Sequence, residues 1–151
     1  MALFLTNTLS GKKEKFVPLE ENVVKIYTCG MTVQDEPHLG HMRAFVMADV
    51  LRRYLEFNGY KTIQVVNFTD VEDRVLQKAQ ELKTDWRGLA QENIDQFFFC
   101  ADQLNILRAT YYPRATQYIQ EIITFIERLE KKGLAYNVDG DVYFEVKIFN
   151  D

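Results

Sequence analysis

Apolar positions at Met42, Phe45, Val46, Val50, Leu51, Tyr54 and Leu55 follow the three-and-four spacing of one broad helical face and predict a helix from Leu39 to Phe57. Pro37 precedes it and Asn58-Gly59 ends it, since glycine readily takes the left-handed cap conformation. On either side lie short β-branched runs, VVKIYT at 23–28 and TIQVV at 62–66. Strand, helix and strand in this order predict a βαβ unit, hence a parallel sheet with ligands bound beyond the strand C-termini. Three more helices are expected over Val71–Leu82, Trp86–Leu107 and Ala115–Lys132. In the second, Trp86, Leu89, Ala90, Phe97, Ala101 and Leu104 share one side, with Thr84 or Asp85 as N-cap; in the third the stripe is Ile119, Ile122, Ile123, Ile126 and Leu129, closed by Gly133. LAYN and DVYFEV, joined through Asp139-Gly140, predict a hairpin.

Composition narrows the class. The 151 residues suffice for one ordinary domain, 47% of them are hydrophobic and 26% charged, and no apolar run is long enough to span a bilayer. The N-terminal apolar residues precede the lysines, the reverse of a signal peptide. Cys29 and Cys100 are too few for a disulfide framework, so a cytoplasmic location is expected. A formal charge of −4 argues against a broad basic surface as the main grip on nucleic acid.

The chemistry is concentrated in YTCGMTVQDEPHLGHMRAF, residues 27–45, which hold both histidines of the chain. His38 falls at the start of the helix and His41 one turn later, on the same face. Unpaired first-turn amides and the helix dipole favour an anion there, and two imidazoles add donors. Gly40 leaves room for a flat ligand to approach the backbone, and the strand ending at Cys29-Gly30 brings a second set of groups to the same crevice, an arrangement suited to a nucleoside triphosphate. A lone histidine at a helix start is ordinarily a cap or a surface residue; two flanking a glycine after a strand and a proline shift that balance. Metal binding by the histidine pair alone is the weaker idea, because third and fourth ligands are missing nearby. Asp70, Glu72 and Asp73 suit a helix cap as well as catalysis, Asn67 and Thr69 suit a turn after a strand, and Cys100, in FFFC, suits a small buried hydrophobe.

HLGH resembles the "HIGH" signature of class I aminoacyl-tRNA synthetases. Together with NTLSGKKEKFVPLE, YTCG, LRRYLEFNGY, NFTDVEDR, PRAT and GDVYFEV, in order along nearly the whole chain, it resembles the cysteinyl-tRNA synthetase family. The resemblance implies an α/β, Rossmann-like parallel sheet, and activation of L-cysteine with ATP and Mg²⁺, followed by transfer to tRNA-Cys. It implies that His38 and His41 stabilise the shifting phosphate charge, that Met31, Thr32 and Gly40 belong with them to the ATP site, and that Gly30, Thr32, Asn67 and Thr69 surround the cysteine. Cys29 is implied as one of four Zn²⁺ ligands, the ion selecting the substrate thiolate over a serine hydroxyl. Met31, Gln34, Glu36, Ala44 and Ala109 depart from the family pattern, and Arg74 stands where lysine is usual.

No KMSKS-like lysine loop is present, and the other zinc ligands of the family lie far downstream. The expectation is therefore that residues 1–112 form the first half of the nucleotide-binding domain and 113–151 begin a connective insertion. An isolated polypeptide of this length is expected to be inactive and prone to aggregate. Two rival readings remain: the cysteine ligase of mycothiol synthesis, against which Arg43 and Arg74 speak, and a non-catalytic, synthetase-like module that binds nucleotide or a partner.

Overall fold

The computed structural model describes residues 3–149. They fall into two compact units that divide after Arg114. Unit one opens with an antiparallel hairpin, β1 (Phe4–Asn7) and β2 (Lys12–Lys15), which the sequence pattern did not predict. Next come β3 (Val23–Thr28), α1 (Leu39–Phe57) and β4 (Lys61–Val66). β3 and β4 pair in parallel from Val23 opposite Lys61 to Thr28 opposite Val66, the expected βαβ unit. Beyond their ends the ladder continues through a parallel bridge between Thr32 and Thr69. On the other edge of β4, Tyr111 and Arg114 bridge in parallel to Val65 and Phe68, so that β4 runs between two parallel neighbours.

α2 (Asp73–Leu82) begins two residues later than predicted, because the Glu72 carboxylate accepts from Arg74 N–H and caps it. α3 (Trp86–Gln103), capped by Asp85, ends four residues earlier than the expected Leu107. Asn105 takes a left-handed conformation, and its carbonyl accepts from Arg53 Nη2 at 2.6 Å. Leu104 is therefore half-exposed instead of on the buried side, and Val50, expected on the buried face of α1, is exposed as well. Asp49 takes a buried place on α1, accepting from Leu107 N–H at 3.0 Å and from Arg53 Nε at 2.6 Å. These bonds tie α1 to the segment after α3.

The core joins Met31 and Val33 of the loop after β3 to Met42 and Phe45 of α1, Val66 and Phe68, Val75 of α2, and Ala90, Ile94, Phe97 and Ala101 of α3. Phe97 sits edge-on to Phe45 at 4.9 Å and to Phe68 at 5.1 Å, geometry that adds to the hydrophobic gain. Cys100 packs half-buried against this core, as a small hydrophobe should.

Unit two holds a 3₁₀ turn (Ala115–Gln117), α4 (Ile119–Lys131) and the antiparallel hairpin β5 (Ala135–Val138) and β6 (Asp141–Phe144). The single helix expected over Ala115–Lys132 is thus broken at Tyr118, which offers no side-chain cap. The hairpin turns at Asp139-Gly140, both with positive φ, as that dipeptide favours. Among the described residues no helix is long and apolar enough to cross a membrane.

Candidate functional site

The candidate site lies where β3 and β4 end and α1 begins. Gly30 follows β3 so closely against Asn67 that a Cβ there would stand 1.4 Å from the Asn67 carbonyl oxygen. Gly30 N–H donates to Asn67 Oδ1 at 2.8 Å, and Thr69 N–H donates to the Met31 carbonyl at 3.2 Å. From the opposite side, buried Asn93 of α3 donates to the Val33 carbonyl at 2.9 Å. The loop from Cys29 to Pro37 is therefore held by backbone ladder, side-chain amide and core packing together. The only sequence sign of Asn93's role is an amide among the buried residues of α3.

His38 is the N-cap of α1. Its Nδ1 accepts from Gly40 N–H at 3.1 Å and His41 N–H at 3.3 Å, while His41 Nδ1 accepts from His38 N–H at 3.4 Å. This reciprocal capping box corrects the expectation of unpaired first-turn amides: the imidazole itself takes two of them. The capping ring also bears on Gly40. A Cβ there would lie 2.9 Å from His38 Cε1, so the glycine makes room for the capping ring.

The cap defines the protons. Because Nδ1 of each ring accepts, each neutral ring carries its hydrogen on Nε2. The rings stack with centroids 3.7 Å apart and planes 17° from parallel, giving two adjacent Nε2–H groups. Burial, and then the neighbouring His38, hold the His41 imidazole below the ordinary histidine range, so His41 is a neutral donor at physiological pH. No acidic residue stands in the first turn of α1 to offset the positive end of the helix dipole. The two Nε2–H donors and the helix dipole both favour an anion there.

Both histidines face an open cleft of about 470 Å³, lined also by Gly30, Met31, Thr32, Gln34, Asp35, Glu36 and Arg74. Met31 turns its side chain into the core, and Thr32 is half-buried. Gln34 Oε1 is buried without a hydrogen-bond partner among the described residues. Asp35 pairs with Lys78 of α2 at 2.9 Å, fastening the loop to that helix. Cys29, Gly40, Asn67 and Thr69 lie outside the lining: Asn67 and Thr69 brace the loop, and Cys29 is an exposed thiol beside it. A tetrahedral zinc site takes four donors, and among the described residues no three His, Cys, Asp or Glu side chains come together to hold a metal. These residues alone do not make such a site.

The chain is 45% identical over 151 residues to the cysteine–tRNA ligase of Thermococcus gammatolerans, covering 100% of this chain and 32% of that protein. It is 50% identical over 149 residues to the cysteine–tRNA ligase of Gloeobacter violaceus, covering 99% and 31%. The chain thus spans about a third of the length of these curated relatives. Among solved structures it matches the Mycobacterium tuberculosis methionyl-tRNA synthetase in complex with methionyl-adenylate, with a TM-score of 0.69 and 21% identity over 76% of this chain and 23% of that one. That likeness carries the fold alone: an α/β, Rossmann-like architecture of the synthetase type. The family model for the tRNA synthetases class I (C) catalytic domain matches residues 15–151. That match covers most of the chain, and the chain belongs to the class I (C) family of tRNA synthetase catalytic domains.

Proposed function

We propose that this chain supplies the first half of a cysteine–tRNA ligase active site, which activates L-cysteine with ATP to cysteinyl-adenylate and passes the cysteinyl group to tRNA-Cys. The observation that carries the reading is the stacked His38–His41 pair, which lines the cleft at the tip of α1 and has each Nδ1 engaged in the cap, leaving Nε2–H as the free donor of each ring. The names of the relatives at 45% and 50% identity support the choice of amino acid and tRNA. In this reading residues 1–112 are the first half of the nucleotide-binding domain and 113–151 begin an insertion.

The cysteine carboxylate attacks the α-phosphorus of ATP, the bond to the bridging oxygen breaks, and pyrophosphate leaves with the electron pair. Negative charge shifts toward the departing phosphates as this happens. Two prearranged N–H donors and the positive end of the helix dipole stabilise that charge without reorganising, and no proton transfer from the rings is required. Thr32 lines the cleft where the amino acid would enter, while Gly30, Asn67 and Thr69 keep that wall in place. For metals, the described residues offer Cys29 as one thiolate donor to zinc, the remaining ligands coming from outside this set; Mg²⁺ would arrive with ATP.

The test is ATP–pyrophosphate exchange by the complete protein. We expect exchange that depends on L-cysteine and charging of tRNA-Cys; exchange absent with cysteine, or an acceptor that is an amino sugar instead of tRNA, overturns the reading. In the same protein, Cys29→Ser is expected to lose bound zinc and the preference for cysteine over serine together.

Gly40→Ala separates the cap from the chemistry. Alanine favours the helix by about 1 kcal/mol over glycine, which offsets a weakened cap of about the same size. Its methyl group also pushes the His38 ring aside. The expected result is a melting temperature close to that of the parent protein with exchange reduced about tenfold or more, a barrier change of roughly 1.4 kcal/mol. Unchanged exchange would show that the ring position does not matter.

A further inference from the structure

We propose that Arg74 is the fixed cation of this cleft, binding the β- and γ-phosphate oxygens of the nucleotide beside the histidine pair; the proposal rests on the reading of the cleft as a nucleotide site. A triphosphate is highly anionic, yet the other groups facing it are poorly matched in charge. The two imidazoles are donors whose neutral form is built into the capping box. Glu36 lines the same cleft as an exposed carboxylate and repels a phosphate. Asp35 does so less, because Lys78 already neutralises it at 2.9 Å. Of the residues lining the cleft, Arg74 is the one lysine or arginine.

The geometry of α2 places it. Arg74 and Lys78 are four residues apart on one helix and so share a face. Lys78 reaches Asp35 in the cleft wall, which turns that face toward the loop and sets Arg74 one turn nearer the start of α2. The Arg74 backbone N–H is held by the Glu72 carboxylate at 3.2 Å, while the side chain is exposed and its guanidinium forms no ion pair among the described residues. Its planar fork can take two phosphate oxygens at once, which a histidine cannot. The Lys78–Asp35 pair thus positions the cation without consuming it.

The experiment uses the complete protein with Arg74→Ala and Arg74→Lys. Cysteine-dependent exchange is measured against ATP, cysteine and pyrophosphate, and inorganic tripolyphosphate binding is measured by calorimetry. Arg74→Ala should raise KM for ATP and for pyrophosphate about tenfold, as loss of one charge-assisted contact does. KM for cysteine should stay within about twofold, and tripolyphosphate should bind more weakly. Arg74→Lys should recover part of the loss, since it keeps the charge but not the fork. An unchanged KM for ATP, an equal rise for ATP and cysteine, or no recovery with lysine overturns the proposal. If the parent protein shows no cysteine-dependent exchange but Arg74→Ala still weakens tripolyphosphate binding, the assignment of cysteine falls and the arginine's role stands. Unaltered tripolyphosphate binding in that case removes both.

Discussion

With the proposed function, replacing His41 with alanine in the complete protein should lower the rate of cysteine-dependent ATP–pyrophosphate exchange by about a hundredfold or more, the scale seen when one prearranged donor is removed from a developing charge. The loss falls mainly on kcat, because the Nε2–H meets charge that grows as pyrophosphate departs. His38→Ala costs a similar factor and also removes the α1 cap, about 1 kcal/mol of stability. The double variant should lose much less than the product of the two. Each Nδ1 accepts from a backbone N–H of the other residue, which alanine keeps, so the coupling runs through the rings stacked at 3.7 Å, and removing either loosens its partner. His41→Asn, which keeps an N–H donor, should retain more activity than alanine. The pair also has a pH signature. Folding holds His41 below the ordinary histidine range, so its contribution to stability is complete above that range and is lost as pH falls through the lowered value. Protonation then occurs at Nδ1, the atom that accepts from His38 N–H. Single alanine variants with exchange rates within about threefold of the parent protein would remove the histidines from the chemistry.

The parts legible in the sequence are those written in neighbouring residues. α1 begins and ends where Pro37 and Asn58-Gly59 say it should, and Asp139-Gly140 turns the hairpin, because these signals act over a few residues. β3 and β4 are readable for the same reason: each is a short β-branched run. What was hidden depends on partners far along the chain. Asp49 looks like a polar residue on a helix, but its partner N–H lies 58 residues away. Asn93 reaches Val33 across 60 residues. α3 stops short because Asn105 turns left-handed and Arg53 takes its carbonyl, neither of which helical periodicity reports. β2 reads KKEK, with no apolar alternation to betray a strand. At the site, residue types pointed to an anion, whereas the arrangement did not follow: two first-turn amides are taken by His38, and Gly40 makes room for the capping ring. Arg74 and Lys78 gain their meaning only from the docking of α2 against the loop.

Gly30→Ala should do to the fold what the histidine changes do to the reaction. The added methyl group would stand 1.4 Å from the Asn67 carbonyl oxygen, 2.6 Å from its carbon and 3.3 Å from its nitrogen. All three are backbone atoms, so no rotamer change relieves the clash. Moving Asn67 away means opening the ladder just beyond Thr28 and Val66, where β3 and β4 end in register. It also breaks the 2.8 Å bond from Gly30 N–H to Asn67 Oδ1. The Thr32–Thr69 bridge and the buried Met31, Val33 and Phe68 side chains follow that displacement. Overpacking of this kind against a rigid wall costs about 3 kcal/mol or more, a large fraction of a domain's stability. The expected outcome is a protein that is insoluble or melts many degrees lower, with both histidines intact in sequence but the cleft wall displaced. Asn67→Ala is the control: it deletes the side-chain bond and leaves the backbone in place, so it should cost only about 1 kcal/mol. Thermal unfolding of the two variants decides the matter. If Gly30→Ala melts as Asn67→Ala does, the two strand ends are not held rigidly together, and the fixed wall on which the cleft depends is lost.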